Sequence, residues 1–190
     1  MAEQAQTHEE IGRTLRRATA ALRDGGVAFM LGGSVACWAR GGPRSQNDVD
    51  LVVPPDEAEA ALEVLEKAGM RTERPPEEWL FKAYDDEVMI DVIFEPTGLP
   101  PITRELIESA EVMSVLAVRM PVMSIEDVLA SKLLALSEQR LDYAPVVEIA
   151  RALREKIDWE SLTERTSESP YARAFFALLR ELEVLPQVGN

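Results

Sequence analysis

Cysteine and histidine are almost absent from this sequence: its 190 residues include one of each, Cys37 and His8. A lone cysteine forms no internal disulfide, and without a thiol or imidazole cluster there is no zinc site to build. Cys37 therefore reads as a small core residue. His8 lies in the N-terminal stretch, where chain ends fray, so an enzyme built on a histidine base is excluded. Aromatic residues make up only 6% of the chain, and no apolar run approaches membrane-spanning length. Met1 to Arg17 is polar, with its acids ahead of its arginines, where a secretory signal would have a positive start and an apolar stretch, so the expected compartment is the cytoplasm, with no membrane partner. Positive charge is also in deficit, with 20 Lys and Arg against 34 Asp and Glu, a net charge of -14. Such a surface repels polyanions unless its cations gather in one place. Carboxylates and lysine are the chemistry that remains.

The 46% hydrophobic and 28% charged composition is that of an ordinary globular chain, and the length suits a single hydrophobic core. Hydrophobic spacing divides it into a mixed α/β region over residues 1–123 and a helical region over 124–190 packed on it. Thr7 and Glu10 form a capping-box pattern ahead of Ile11, Leu15, Ala18 and Leu22, which recur at helical spacing. Val27 to Leu31 reads as a strand running into Gly32-Gly33-Ser34, and Val35 to Arg40 as a short helix stopped by Gly41-Gly42-Pro43. Asp48 to Val53 reads as a second strand, and Ala58, Ala61, Leu62 and Leu65 mark an amphipathic helix. Leu80 to Tyr84 and Val88 to Phe94 flank Asp85-Asp86-Glu87 as the arms of a hairpin. Val112 to Met123, interrupted by Pro121, predicts short strands. Further on, Ser124 caps a helix carrying Leu129, Leu133 and Leu134, and Pro145 and Pro170 open two more at their first turns.

The chemistry concentrates in three acids. Strand periodicity sets Asp48 and Asp50 on one face while Val49 and Leu51 point to the other. Neighbouring carboxylates repel, and a cation relieves the cost. Asp91 sits inside Met89-Ile90-Asp91-Val92-Ile93-Phe94, a strand core where an unpartnered charge is expensive. If its strand lies beside Asp48 to Val53, the three acids suffice for one or two Mg²⁺ ions; the alternative is an ion pair with Arg44 or Arg119. Gly32-Gly33-Ser34, between strand and helix, lets backbone N–H groups and a hydroxyl approach phosphate oxygens, although a tight turn capped by Ser34 would look the same. Lys132, one of few cations on a leucine-faced helix, suits either a phosphate or solvent. Arg44, in the loop leading to Asp48, is a candidate phosphate contact or a surface charge.

Strand, Gly-Gly-Ser, helix, then Asp-x-Asp beginning fourteen residues after Ser34, then a third Asp in a later strand, together resemble the nucleotidyltransferase superfamily. That resemblance implies an α+β fold, a small mixed β-sheet core flanked by helices with a C-terminal helical bundle, residues 1–123 being the catalytic core. It also implies that Asp48, Asp50 and Asp91 hold Mg²⁺ and that Gly33 and Ser34 form the phosphate-binding turn. Ser124 to Leu136, followed by Arg140-Leu141-Asp142, resembles the AbiEii-type toxins, including the MenT group, over roughly residues 25–155. From that group Lys132 carries over as an active-site lysine and Asp142 as a nucleotide-site acid. Gln46 stands two residues before Asp48, where many relatives have Ser or Thr, and Ser45 is one further back.

The expected activity is transfer of a nucleotide from a nucleoside triphosphate to an acceptor hydroxyl with release of pyrophosphate. The toxin resemblance implies the 3′ end of tRNA as acceptor and a cognate antitoxin protein as partner. A small hydroxylated molecule such as an aminoglycoside suits the acidic surface instead, and a non-enzymatic module retaining the fold is a third class. A tRNA acceptor requires cations near the site, drawn from Arg13, Arg16, Arg17, Arg40, Arg44 and Lys132.

Overall fold

The computed structural model describes residues 2–44 and 48–185, with side chains from residue 9 onward. The first helix, α1 (Ala2–Asp24), leads into β1 (Met30–Leu31), α2 (Gly33–Ala39) and β2 (Val49–Val52). A 3₁₀ turn at Pro55–Glu57 opens α3 (Ala58–Lys67), and β3 (Arg71–Glu73), β4 (Leu80–Asp85) and β5 (Val88–Ile93) follow. Then come α4 (Arg104–Ser109), the strands β6 (Val112–Val115) and β7 (Val118–Pro121), and the helices α5 (Ile125–Leu134), α6 (Ala144–Leu153), α7 (Trp159–Arg165) and α8 (Pro170–Glu181). The α+β class with a mixed sheet is as expected, while β3, α4 and α7 are additions to the sequence reading. Each is short, with three, six and seven residues, too few for periodicity to register. Helix α1 is already helical from Ala2, so Thr7 does not start it; the side chains of Thr7 and His8, like Ser45 and Gln46, lie outside the described residues. No described helix is long and apolar enough to cross a membrane.

Five strands form one sheet in the order β1-β2-β5-β4-β3. Only β2 and β5 are parallel; β1 with β2, β5 with β4 and β4 with β3 run antiparallel. Alternation then divides the two faces. Val49, Leu51, Ile90 and Val92, all fully buried, point to the side covered by α1 and α3. Asp48, Asp50, Lys82 and Asp91 point to the other. The small hairpin β6–β7 joins the β1 edge, where Leu31 bridges to Val122 and its carbonyl accepts the Met123 N–H. Ser124 caps α5 by accepting the Asp127 N–H at 3.0 Å, and α6, α7 and α8 pack around α5.

One buried polar cluster anchors α1 to the sheet. Asp85, 2% exposed, accepts a 2.7 Å hydrogen bond from the Thr14 hydroxyl and an ion pair from Arg17. This capture draws Asp85 into β4 as a ladder partner of Val88, which leaves a two-residue turn at Asp86 and Glu87 in place of the expected three. Asp86 adopts φ +54, a left-handed conformation that aspartate tolerates well. The hairpin register consequently shifts by one residue from that of a three-residue turn, so Lys82 rather than Phe81 faces Asp91. Replacing Thr14 by Val removes a buried hydrogen bond to a charged acceptor and should cost about 1.5–3 kcal/mol, read as a lower urea midpoint at unchanged m-value.

Candidate active site

The site begins where β2 and β5 run side by side. Their register makes Asp50 and Asp91 direct partners, with Asp48 two residues earlier on the same face. The two strands adjoin, which is the condition the sequence left open, and the three acids lie on one sheet face. Neither Arg44 nor Arg119 pairs with Asp91. Its carboxylate accepts from Lys82 Nζ at 3.2 Å, and the same ammonium lies 3.3 Å from Met89 Sδ. Lys82 is a site residue that the sequence reading missed, because a hairpin shifted by one would place it on the opposite face.

At the end of β1 the chain turns sharply against Asp50. Gly33 has φ +57, and a Cβ there would stand 1.7 Å from Asp50 Oδ2, so no other residue fits without displacing the carboxylate. Gly32, not Ser34, is the N-cap of α2, and it makes no side-chain capping bond. The Ser34 backbone N–H is directed to the Asp50 carboxylate. The turn thus holds a backbone donor from the first turn of α2 against an acid of the sheet.

The electrostatics show how crowded the acids are. Burial is the main force pushing the Asp50 carboxyl up to about 6; Asp91 and Asp48 add to the rise, while Lys132 and the Ser34 N–H oppose it. Asp48 is raised as well, by burial first and then by Asp91, against the pull of Lys82. For Lys82, burial disfavours the ammonium, but the hydrogen bond and charge of Asp91 outweigh it and the group is raised. Cys37 is buried in α2, as expected of a core residue, and burial pushes its thiol up to about 11, away from nucleophilic reactivity.

Between this face and α5 lies a cavity of about 480 Å³. Gly33, Asp50, Ser131 and Lys132 line its polar end, and Val52, Trp79, Ile93, Pro96, Leu134 and Leu136 supply apolar wall. Gly98, at φ +70, lets the loop after β5 close on α5, since a Cβ there would stand 2.1 Å from Leu134 Cδ1. Lys132 is in the cavity wall. Two further nucleotide-site candidates lie elsewhere: Arg44 is exposed beside residues 45–47, and Asp142 is exposed and accepts the Ala144 N–H at 3.0 Å at the start of α6. Neither lines the cavity; Arg140, two residues before Asp142, does.

The donor set suits a hard divalent cation: three carboxylates on one face, two of them raised by burial first and then by neighbouring carboxylates. Among the described residues, no three ligating side chains are grouped closely enough to hold an ion.

The chain belongs to the family described as "Uncharacterised nucleotidyltransferase", which matches residues 3–185. Among curated proteins, none matches this sequence. Two solved structures of the antibiotic-resistance factor ANT(2″)-Ia share the fold. The solution structure has a TM-score of 0.64 at 18% identity and covers 92% of this chain and 97% of that one. The crystal structure in complex with adenylyl-2″-tobramycin has a TM-score of 0.62 at 17% identity, with coverages of 89% and 98%. At such identities the likeness is one of fold alone.

Two outcomes follow from this geometry. The folded metal-free chain retains protons on Asp48 and Asp50 that the unfolded chain releases near the ordinary aspartate pKa of about 3.9. The stability from that protonation is present at low pH and is lost as pH rises towards and through about 6, the folded-state value of Asp50. Asp50→Asn, which keeps an acceptor for the Ser34 N–H, should melt at or above wild type at pH 7.5 without metal, and the gap should close by about pH 4 in calorimetry. Gly33→Ala displaces the Asp50 carboxylate and should reduce turnover by on the order of 100-fold in a pyrophosphate-release assay.

Proposed function

We propose that this protein is a Mg²⁺-dependent enzyme that transfers the nucleotidyl group of a nucleoside triphosphate to a hydroxyl of a small, cationic acceptor. The acceptor oxygen forms a bond to the α-phosphorus, the bridging α–β P–O bond breaks, and pyrophosphate leaves. Asp91 takes the proton of the attacking hydroxyl, and Asp48 and Asp50, with Asp91, hold the metal. Mg²⁺, as one or two ions, supplies charge neutralisation at the reacting phosphate. Lys132 provides counter-charge to the β- and γ-phosphates from the cavity wall, and the Gly33-Ser34 turn positions them. Arg44 and Asp142, outside the wall, enter this reading only as contacts to the outer part of the nucleotide.

The observation that carries the choice of acceptor is where the cations are. Among the described residues, the cavity wall holds only Lys132 and Arg140 as cations, on a chain of net charge -14. Arg13 pairs with Asp86 and Arg17 with Asp85 at the hairpin on the α1 side of the sheet. Arg40 pairs with Glu111 and donates to the carbonyls of Val122 and Met123. An acidic exterior with two cations in the cleft suits a triphosphate inside and a positively charged acceptor arriving from solvent.

A second reading takes the 3′ end of tRNA as acceptor, as in the AbiEii and MenT toxins, with an antitoxin as partner and the cytoplasm as compartment. It is favoured by the Ser124 to Asp142 resemblance and by Lys132 lying in the wall. The two readings separate in one experiment, in which each α-labelled nucleoside triphosphate and Mg²⁺ are incubated with an aminoglycoside panel or with total tRNA. Label is expected on the small acceptor; label on tRNA alone, together with growth arrest on expression, would overturn that choice. Lys132→Ala should raise the triphosphate KM and lower kcat together, and wild-type kinetics in that variant would remove Lys132 from the site.

A further inference from the structure

Lys82 is neither part of the motif that marks the family nor in the wall of the cavity, yet it makes the ion pair nearest the chemistry. Its ammonium is 3.2 Å from Asp91 Oδ1, and its Cα is paired in register with that of Asp91 across the antiparallel ladder. Both side chains are largely shielded, at 23% and 18% exposure, so the contact is far less screened than a surface pair. The position is set by the fold, because the capture of Asp85 by Thr14 and Arg17 fixes the hairpin register that brings Lys82 to this face.

We propose that Lys82 is the resident counter-cation of the carboxylate cluster. It orients and neutralises Asp91 in the metal-free enzyme and must yield that carboxylate when a divalent ion is bound by all three acids. Lys82 is thus a positioning residue that keeps the metal affinity of the free enzyme low. Tight metal binding then depends on the triphosphate, whose oxygens add ligands and whose charge offers the displaced ammonium a new partner. A cluster with a built-in cation is stable without metal and accepts the ion together with its substrate. The assignment rests on the metal-site reading proposed above.

The test is Mn²⁺ binding to the full chain, followed by electron paramagnetic resonance without nucleotide and again with a non-hydrolysable triphosphate analogue. Lys82→Gln keeps a donor to Asp91 but removes the charge, and should bind Mn²⁺ on the order of tenfold more tightly than wild type in the absence of nucleotide. Lys82→Arg should bind like wild type. Adding the analogue should narrow the difference, and metal-free Lys82→Gln should melt below wild type at pH 7.5 and recover when Mn²⁺ is added. If glutamine disturbs the fold, Lys82→Met places an uncharged stem beside Met89 for the same measurement. Equal Mn²⁺ affinity in wild type and the neutral variants would overturn the role of Lys82 while leaving the metal site intact. Absence of binding in every variant, with the analogue present and Asp50→Asn indistinguishable from wild type, would overturn both.

Discussion

The parallel pairing of β2 with β5 sets Asp50 beside Asp91, and the rest of the site is arranged around the repulsion this creates. Asp50, at a ladder position adjoining Asp91 and two residues from Asp48, is pushed up to about 6 by burial first and by those two carboxylates in addition. Each surrounding element answers that charge. The glycine turn directs the Ser34 N–H at Asp50, α5 brings Lys132 to it, and β4 brings Lys82 to Asp91. Three different segments therefore supply positive charge or a donor to one patch of sheet.

The same compensation links stability to function. A protein without metal has to tolerate three acids on one face, and it does so with an ion pair, a backbone hydrogen bond and partial protonation. The backbone beneath is fixed by the buried residues Val49, Leu51, Ile90 and Val92 on the far face. Rigidity lies in the ladder, and the adjustable parts are the carboxylate and lysine side chains.

The cluster of Asp85, Thr14 and Arg17 lies on the opposite face from the chemistry yet decides part of it. By drawing Asp85 into β4 it sets the hairpin register, and the register determines which side chain meets Asp91. A one-residue slip would turn Lys82 to the α1 side and put Phe81 against a carboxylate. Structural and functional polar groups are thereby coupled through the pleat of a single strand.

Much of the fold was legible in the sequence, because it depends on local pattern. Asp48 and Asp50 share a face through the period of two, and Ser124 and Pro170 mark helix starts through their backbone chemistry, whereas the closeness of Gly33 to Asp50 belongs to the folded chain. What the sequence left open depends on contacts between distant residues. The partner of Asp91 follows from a hairpin register set by α1, 71 residues before the acid it captures. The presence of Arg140 in the cavity wall, with Asp142 outside it, depends on how the segment after α5 folds back over the cleft. Residue type and spacing determined which groups could do chemistry here, and tertiary packing decided which of them meet, because a pairwise charge interaction depends on separation in space rather than along the chain.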